Sequence, residues 1–409
     1  MISVERLKHD IDTLKCFTST PGKGVTRFSF TEEDKAARSY IIEIMKAAGL
    51  DVTIHPSGNI IGKLAGANPS LKPVMIGSHY DSVACGGAYD GIYGVIAAIE
   101  TVRSFQDEGF IPVRTIEVIA FWEEEGAHFR KGLLGSSLMV GITTAEELSK
   151  LFDDRMESLY DAMTAAELYP ERIESSVLKP GTLKAYVELH IEQGPILEAC
   201  SKDIGVVTGI DSMTFGQFTV WGRADHAGTT PMEHRKDALR TAVSIMNELY
   251  ALADSIGNGI RLTIGNVNVK PGSGNIVPDE VSFLIDFRCS DNVLTHRTDS
   301  EIRRVVKKYN ASGIKCEYGL FLEKPVIEMT PTIVDTICDS CNRYNLSYMS
   351  IGSGAGHDAM NMADICPVGM IFIPSIGGRS HCPEESSSDE ALYNGAVVLM
   401  DTVKTLTSQ

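Results

Sequence analysis

The sequence predicts an α/β protein in which a mainly parallel sheet is flanked by helices and a smaller α+β domain is inserted. In the first and last parts of the chain, short apolar runs typical of buried strands alternate with helical segments. Between residues 211 and 324 the order changes to strand, helix, two strands and helix, which is typical of a small α+β domain. We therefore predict one discontinuous domain of residues 1–210 and 325–409, and an inserted domain of residues 211–324.

Length and charge narrow the class of protein. The 409 residues exceed the roughly 150 residues of one compact domain, so two domains are expected. The net charge of −17 argues against nucleic acid or an anionic membrane as a partner. No apolar run approaches the roughly 20 residues of a membrane span. The nine cysteines are scattered, and no leader sequence opens the chain, so we expect reduced thiols in a cytoplasmic protein.

The elements of the larger domain follow from hydrophobic spacing. A helix is predicted over residues 31–48, where apolar residues recur at helical spacing, Thr31 can cap the start and Gly49 the end. The lone C-x-x-C of Cys338 and Cys341 falls in a later predicted helix and is assigned to packing. Strands are predicted at residues 52–54, 60–64, 74–76, 116–121, 185–189 and 368–373, and a further helix at residues 91–104.

The inserted domain has its own pattern. Alternating polar and apolar residues predict strands at 215–222, 260–269 and 281–288, and helical spacing predicts helices at 237–252 and 300–309.

The segment GSHYDSVACGGAYDG places His79, Asp81 and Asp90 just after a predicted buried strand. The Gly86-Gly87 pair lets the intervening loop turn sharply. Histidine and aspartate that converge at the carboxyl end of a strand suit a divalent metal such as zinc or manganese. A hydrogen-bonded His-Asp pair beside the core is the alternative.

Further candidate ligands follow other strands. Glu123, Glu124 and Glu125 repel one another, so burying them is unfavourable unless a cation compensates; an exposed acidic turn is the alternative. His190 and His381 also follow predicted strands. Two divalent ions bridged by one carboxylate need about five protein ligands, with a position left for water. Asp90 is the natural bridge, and a neighbouring glutamate could accept the proton of the water.

Six motifs occur in order along nearly the whole chain: GSHYDSV with GGAYDG, EEEGAHF, ELHIEQGP, DHAGTTP, GNIVPDEVSFLIDFR, and SGAGHDA followed by SH. Together they resemble the amidohydrolase branch of the aminoacylase and carboxypeptidase-like dinuclear metallohydrolases. That branch contains N-carbamoyl-L-amino acid hydrolases, allantoate amidohydrolases and β-ureidopropionases. The resemblance implies a hydrolase of carbon–nitrogen bonds other than peptide bonds, with two divalent ions per subunit, zinc, manganese, cobalt or nickel.

The resemblance also implies roles for single residues. Glu124 would be the general base that serves a hydroxide held between the ions, and Asp81 would orient the ligand His79. His226 would reach from the inserted domain into the active site of the partner subunit of a homodimer and stabilise the oxyanion, so the inserted domain would serve in dimerisation or as a lid. The implied metal ligands are His79, Asp90, Glu125, His190 and His381, and the implied substrate contacts are Gln193, Asn275, Arg288, Gly356 and His357.

The substrate expected from the resemblance is a ureido acid. Arg288 would bind its carboxylate through two parallel hydrogen bonds, although an ion pair with Asp286 is the structural alternative. Allantoate-hydrolysing members tend to carry an arginine in the stretch that here is residues 211–215, and this chain has none, whereas SGAGHDA and MIFIPSI look closer to those members. Allantoate and an N-carbamoyl-L-amino acid both remain open. A peptidase or aminoacylase on the same scaffold and a non-catalytic metal-binding protein are the alternatives.

Overall fold

The computed structural model describes residues 1–408, which form two compact units. The first contains residues 1–208, 329–351 and the chain from residue 357 onward, and the second contains residues 209–328 and 352–356. The helices are α1 Val4–Lys15, α2 Glu32–Ala47, α3 Ile92–Glu108, α4 Leu134–Val140, α5 Ala145–Leu148, α6 Leu159–Ala165, α7 Ile173–Ser176, α8 Ile196–Ala199, α9 Ala238–Ile256, α10 Asn292–Ala311, α11 Pro331–Arg343, α12 Ala359–Met362 and α13 Asp389–Thr407. The strands are β1 Asp51–Ile54, β2 Ile60–Leu64, β3 Val74–His79, β4 Ile116–Phe121, β5 Ala185–Ile191, β6 Ile204–Ile210, β7 Met213–Trp221, β8 Ile260–Lys270, β9 Glu280–Cys289, β10 Cys316–Lys324, β11 Ile327–Glu328, β12 Tyr348–Ser353 and β13 Val368–Ile373.

The sheet of the first unit has the order β1-β2-β4-β3-β5-β13-β6. Its four central strands are parallel, because β3 pairs in parallel with both β4 and β5, and β5 with β13. Every residue of these four strands is buried, as expected for parallel strands that are covered on both faces. The predicted fold class, a mainly parallel sheet flanked by helices with a smaller second domain, is confirmed.

Local sequence signals explain where the helices of the first unit begin. The side chain of Thr31 accepts a hydrogen bond from the backbone of Asp34 and caps α2, as predicted. Helix α3 extends four residues past the predicted end at residue 104, and Gly109 closes it in the left-handed conformation with a φ of 65°. Helix α13 packs against α3. Both helices are largely apolar and buried, so they cover the sheet that carries the site.

The second unit is built around a four-stranded antiparallel sheet with the order β10-β7-β9-β8. Its core includes the rings of Phe218 and Phe283, which stack at 4.9 Å between centroids. Strand β10 was not predicted, and α10 begins eight residues before the predicted start. The polar segment after Asn292 lacks a strong apolar stripe, and the helix begins there because the side chain of Asp291 accepts a hydrogen bond from the backbone of Leu294.

None of the helices within residues 1–408 has both the length and the apolar character needed to cross a bilayer. The nine cysteines, all within this described range, are free thiols. Cys338 and Cys341 lie in α11, where Cys341 is buried.

Candidate active site

Two histidines stand at neighbouring strand ends of the first unit. His79 is the last residue of β3, and His190 is the last but one of β5. Their side chains are 2% and 1% exposed, and their ring centroids are 5.7 Å apart. A side chain on Gly91 would meet the ring of His79, because an added Cβ would lie 2.5 Å from its atoms. The parallel register therefore brings together residues from distant parts of the chain, and Gly91 leaves room for the ring of His79.

The hydrogen bonds of His190 fix its tautomer. Its Nδ1–H donates to the carbonyl oxygen of Ile191 at 2.9 Å, and the backbone N–H of Gly91 donates to Nε2 at 3.2 Å. Nε2 therefore carries a lone pair, and it lies 3.1 Å from Oδ1 of Asp90. That oxygen is buried and has no hydrogen-bond partner within residues 1–408. Two acceptors so close together are stable only with a cation or an added proton between them, and a histidine fixed in this way suits a metal ligand.

Asp90 lies at the centre of the candidate ligands. Its Oδ1 is 3.8 Å from Nε2 of His79, and its Oδ2 is 3.0 Å from Nε2 of His381. Gln193 donates a hydrogen bond to Oδ2 at 2.9 Å. Both Gln193 and His381 have left-handed backbone conformations, with φ of 59° and 56°. Asp90 is therefore positioned between the histidines as a bridging ligand would be, and the strained backbone at two flanking residues is typical of functional sites.

The three glutamates after β4 have different surroundings. Oε1 of Glu123 accepts hydrogen bonds from the backbone N–H groups of His128 and Phe129 at 2.9 and 2.8 Å, so this carboxylate closes a turn. Oε2 of Glu124 lies 3.9 Å from Nε2 of His79, and Oε1 of Glu125 lies 3.3 Å from Nε2 of His381. The side chains of Glu124 and Glu125 are only 9% and 8% exposed, so the alternative of an exposed acidic turn does not hold.

Asp81 contacts the peptide that carries the two site glutamates. Its Oδ1 accepts a hydrogen bond from the backbone N–H of Glu124 and its Oδ2 one from Glu125, both at 3.1 Å. Oδ1 also lies 3.4 Å from Nδ1 of His79. Both oxygens of Asp81 are thus occupied by protein groups, which favours an orienting role.

The residues fit divalent metal ions. Three overlapping groups place their donor atoms within 4.8 Å of one another. Buried carboxylates and imidazoles in such contact need a positive charge to compensate them, and this donor set suits zinc or manganese. The groups are His79, Asp90 and His190; Asp90, Glu125 and His381; and His79, Glu124 and Glu125.

Glu124 and His381 have raised pKa values for different physical reasons. Burial raises the pKa of Glu124 well above its ordinary value; the imidazole of His79 opposes this shift, and the carboxylate of Glu125 adds to it. Hydrogen bonds to Asp90 and then to Glu125 raise the pKa of His381 to about 11. Glu124 is therefore a carboxyl group that readily holds a proton, while His381 must release one before it can bind a metal.

His357, a predicted substrate contact, lies inside the first unit. Its side chain is 1% exposed, and its ring meets that of His190 edge to face with 4.6 Å between centroids. Burial, and next the interaction with the neighbouring His190, lower the pKa of His357 well below its ordinary value. His357 is thus a neutral ring packed on a candidate ligand.

The remaining predicted contacts lie in the second unit. Nδ1 of His226 accepts hydrogen bonds from the backbone N–H groups of Gly228 and Thr229 at 3.0 and 3.2 Å, so the neutral ring carries its proton on Nε2. The backbone carbonyl of Asn275 accepts a hydrogen bond from Ala227 at 2.9 Å, which places Asn275 beside His226. His226 and Asn275 are both exposed.

Arg288 in β9 is held by its own unit. Its Nη2 donates to Oδ2 of Asp286 at 2.9 Å, and its Nη1 donates to the carbonyl oxygen of Gly354 at 2.6 Å. The segment of residues 352–356, which includes Gly356, belongs to the same unit. The structural ion pair with Asp286 is thus present, and one N–H on each of Nη1 and Nη2 is not used by these two contacts.

Sequence reasoning missed Glu385, whose buried carboxylate contacts the segments of both Asp90 and His381. The sequence feature that could have located it is the second glutamate of CPEES, which begins at the residue after His381.

Comparison with known proteins decides the family. The model of peptidase family M20/M25/M40 matches residues 75–405. The chain belongs to this family. The prediction from the six motifs is thereby confirmed, as is the predicted class of hydrolase, because relatives within the family are named for action on carbon–nitrogen bonds other than peptide bonds.

Among the relatives of this M20 family chain is an N-carbamoyl-L-amino-acid amidohydrolase of Paenarthrobacter aurescens, 39% identical over 406 residues that cover 98% of each chain. The allantoate amidohydrolase of Escherichia coli is 32% identical and covers 97% of this chain and 96% of its own. A ureidoglycolate hydrolase of Arabidopsis thaliana is 36% identical, and the match covers 98% of this chain and 86% of the plant protein. The crystal structure of a hydantoinase/carbamoylase family amidase from Burkholderia multivorans superposes on this chain with a TM-score of 0.90 at 32% sequence identity. The match covers 100% of this chain and 98% of the Burkholderia chain.

Proposed function

We propose that this protein is a metal-dependent amidohydrolase that cleaves the ureido C–N bond of a carboxylate-bearing substrate, an N-carbamoyl-L-amino acid or allantoate. The observation that carries the proposal is the pair of three-ligand groups that share Asp90, with Glu124 beside them. The names of the relatives support the reaction class.

The five proposed ligands divide between two ions. His79, Asp90 and His190 would hold one, and Asp90, Glu125 and His381 the other. Zinc, manganese, cobalt and nickel all accept this donor set. When bound, the two ions would lower the pKa of a water molecule and polarise the ureido carbonyl.

Glu124 is the proposed general base. Its burial keeps its carboxyl pKa high, so it can take a proton from the attacking water and hold it until it passes to the leaving nitrogen. Bound cations would oppose this shift, because a nearby positive charge favours the ionised carboxylate that acts as a base. The contacts of Asp81 with the backbone of Glu124 and Glu125 hold both carboxylates in position.

The proposed substrate contacts are Gln193, Asn275, Arg288, Gly356 and His357. Arg288 would bind the substrate carboxylate with the two N–H groups that Asp286 and Gly354 leave unused. His226 of the partner subunit would donate its Nε2–H to the developing oxyanion. Both roles need the substrate in place.

A homodimer is part of the proposal because His226 would act across subunits. The second unit offers apolar surface for such an interface. Val243 and Tyr250, two turns apart on α9, are 47% and 44% exposed, and Val267 on the edge strand β8 is 47% exposed. We also propose that this unit, predicted as residues 211–324, is the dimerisation or lid domain, and that the protein with its free thiols is cytoplasmic.

Two features bear on the substrate. The chain is more identical to a protein named for N-carbamoyl-L-amino acids, at 39%, than to one named for allantoate, at 32%. In the stretch of residues 211–215, where allantoate-hydrolysing members tend to carry an arginine, Asp211 instead binds Nη1 of Arg261. These two features favour an N-carbamoyl-L-amino acid, whereas the SGAGHDA and MIFIPSI segments look closer to allantoate-hydrolysing members, so both substrates stay in the proposal.

A substrate panel tests the proposal. The N-carbamoyl, N-acetyl and dipeptide derivatives of one L-amino acid, together with allantoate, are assayed with each of the four metals. We expect the highest kcat/KM for a ureido substrate. Preference for the acetyl or dipeptide derivative would instead favour a metallopeptidase or aminoacylase.

A further inference from the structure

Glu385 is a buried acid with no part in the mechanism above. It follows His381 by four residues and is 4% exposed. Its Oε1 accepts hydrogen bonds from the backbone N–H groups of Tyr89 and Asp90 at 2.9 and 3.0 Å. Its Oε2 accepts one from the hydroxyl of Ser380 at 2.7 Å and one from the backbone N–H of His381 at 3.3 Å. One carboxylate thus contacts both segments that carry proposed ligands.

The two sets of donors come from distant parts of the chain. Glu385 and Asp90 are separated by 295 residues, and the strands that precede their loops, β3 and β13, are not neighbours in the sheet. Strand β5 lies between these two strands, so no direct backbone pairing holds the two loops together. The carboxylate of Glu385 supplies a direct link, because each of its oxygens accepts from one of the two loops, and the hydroxyl of Ser380 adds a contact with Oδ2 of Asp90 at 3.3 Å. Hydrogen bonds to an ionised acceptor are stronger than neutral ones.

Gly87 is a second, independent feature that links Glu385 to the Asp90 loop. A Cβ at Gly87 would lie 2.0 Å from Oε1 of Glu385. The backbone of Gly87 is not in the left-handed region, so the glycine is needed for space and not for its conformation. At Gly86 the nearest atom to an added Cβ would be Cγ2 of Val83, at 2.9 Å, which is the end of a side chain, and the backbone oxygens around it lie at ordinary contact distances of 3.4 and 3.6 Å. Gly87 therefore allows the close approach of Glu385 to the Asp90 loop.

We propose that Glu385 is a positioning residue that holds Asp90 and His381 at the distance needed for metal binding. This inference rests on the metal site of the proposed function. Glutamine at this position could still accept from the Asp90 loop through its one carbonyl oxygen. Its NH₂ group, however, would face the N–H of His381, and two donors do not bond. The hydroxyl of Ser380 could turn and accept from this NH₂ group, so the substitution removes the bond to the N–H of His381, weakens the hold on its loop and leaves the volume of the side chain almost unchanged.

The test is metal binding by Glu385→Gln after the protein is stripped with a chelator, measured by calorimetric titration with Zn²⁺ and with Mn²⁺. Glu384→Gln is the matched control, since Glu384 is 59% exposed and pairs only with Arg379 in the described structure. We expect Glu385→Gln to bind metal about 10- to 100-fold more weakly than the parent, as is typical when a partner of a ligand is lost. The control should bind as the parent does.

The outcomes separate this inference from the proposed function. A parent protein that binds no metal would overturn the proposed function itself. A parent that binds metal, with Glu385→Gln binding equally well, would overturn the positioning role, as would a variant whose metal-free form unfolds at a lower temperature while its metal affinity is unchanged. If Glu385→Gln does not fold, Gly87→Ala carries the test. It keeps the carboxylate but displaces it, so weaker metal binding is expected, and unchanged affinity would contradict the proposal.

Discussion

The two units differ in how their candidate functional side chains are compensated by neighbouring groups. The side chains in question are the candidate metal ligands of the first unit and His226 and Arg288 of the second. In the first unit, His79, Asp90 and His190 are at most 8% exposed, and Oδ1 of Asp90 lies 3.1 Å from Nε2 of His190 and 3.8 Å from Nε2 of His79. In the second unit, His226 is exposed and accepts hydrogen bonds from its own turn, and Arg288 is paired with Asp286. The first set is electrically incomplete without a cation, whereas the second set is stable as it stands.

This difference teaches which functions can be inferred from contacts. Buried charges must be compensated, so a crowded buried cluster indicates what it lacks. Exposed or partly buried groups with partners in their own turn or strand give no such indication, and their roles depend on the substrate. We therefore expect changes in the first region to alter metal binding and the chemical step. Changes in the second region should alter rate or KM while metal content stays the same.

Removal of the metal should have the largest effect. Chelation is expected to abolish hydrolysis, because the carboxylates and imidazoles alone cannot activate water sufficiently. The melting temperature should also fall, since a ligand at 100 times its Kd stabilises the folded state by about 2.7 kcal/mol. Metal analysis, activity and thermal unfolding are measured before and after zinc, manganese, cobalt or nickel is returned. Full activity in a metal-free sample would show that the buried cluster of the first unit does not need a cation for hydrolysis.

Glu124→Gln should lower kcat by about 10²- to 10⁴-fold, the usual contribution of a general base. The amide cannot accept the proton, yet it fills the same space, so metal content should match that of the parent. The control is Glu171→Gln, whose side chain is 58% exposed. A variant that retains its metal and hydrolyses ureido acids at the parent rate would show that Glu124 is not the base.

His226→Ala should lower kcat by about 10²- to 10³-fold, as expected when a donor to the oxyanion is lost. Metal content should not change, which would sharpen the distinction between the two regions. His234→Ala, an exposed histidine in the same unit, serves as the control. If His226→Ala only lowers the melting temperature and leaves kcat at the parent value, its bonds to Gly228 and Thr229 are its whole function.

Most of the fold was predictable because its signals are local. Apolar runs located β3 and β4, and Thr31 marked the start of α2. Strand β10 was missed although partly buried and exposed residues alternate along it, because it contains a glycine and three charged residues, which are uncommon in strands, and pairing with β7 gives it its structure.

The candidate site was only partly predictable for a related reason. Strand ends located His79 and His190, since the carboxyl ends of parallel strands meet. Glu385 escaped prediction because its role depends on a contact across 295 residues, which spacing does not reveal. Its neighbour Glu384 has the same chemistry and a different environment, being exposed.

Arg288→Lys should have the smallest effect of the four changes. Lysine keeps the charge but cannot offer two parallel N–H groups, so one charge-assisted hydrogen bond of about 1.5–3 kcal/mol is lost. At about 1.4 kcal/mol per tenfold change, KM for an N-carbamoyl amino acid should rise about 10- to 150-fold. Metal content should stay constant, and the exposed Arg304→Lys is the control.

A substrate analogue in which an amide replaces the carboxylate shows why KM rises in Arg288→Lys. If Arg288 binds the carboxylate, the KM of this analogue should be much less sensitive to the substitution. An equal loss for acid and amide would mean that Arg288 acts only through its bonds to Asp286 and Gly354, and its role in the second region would then be structural.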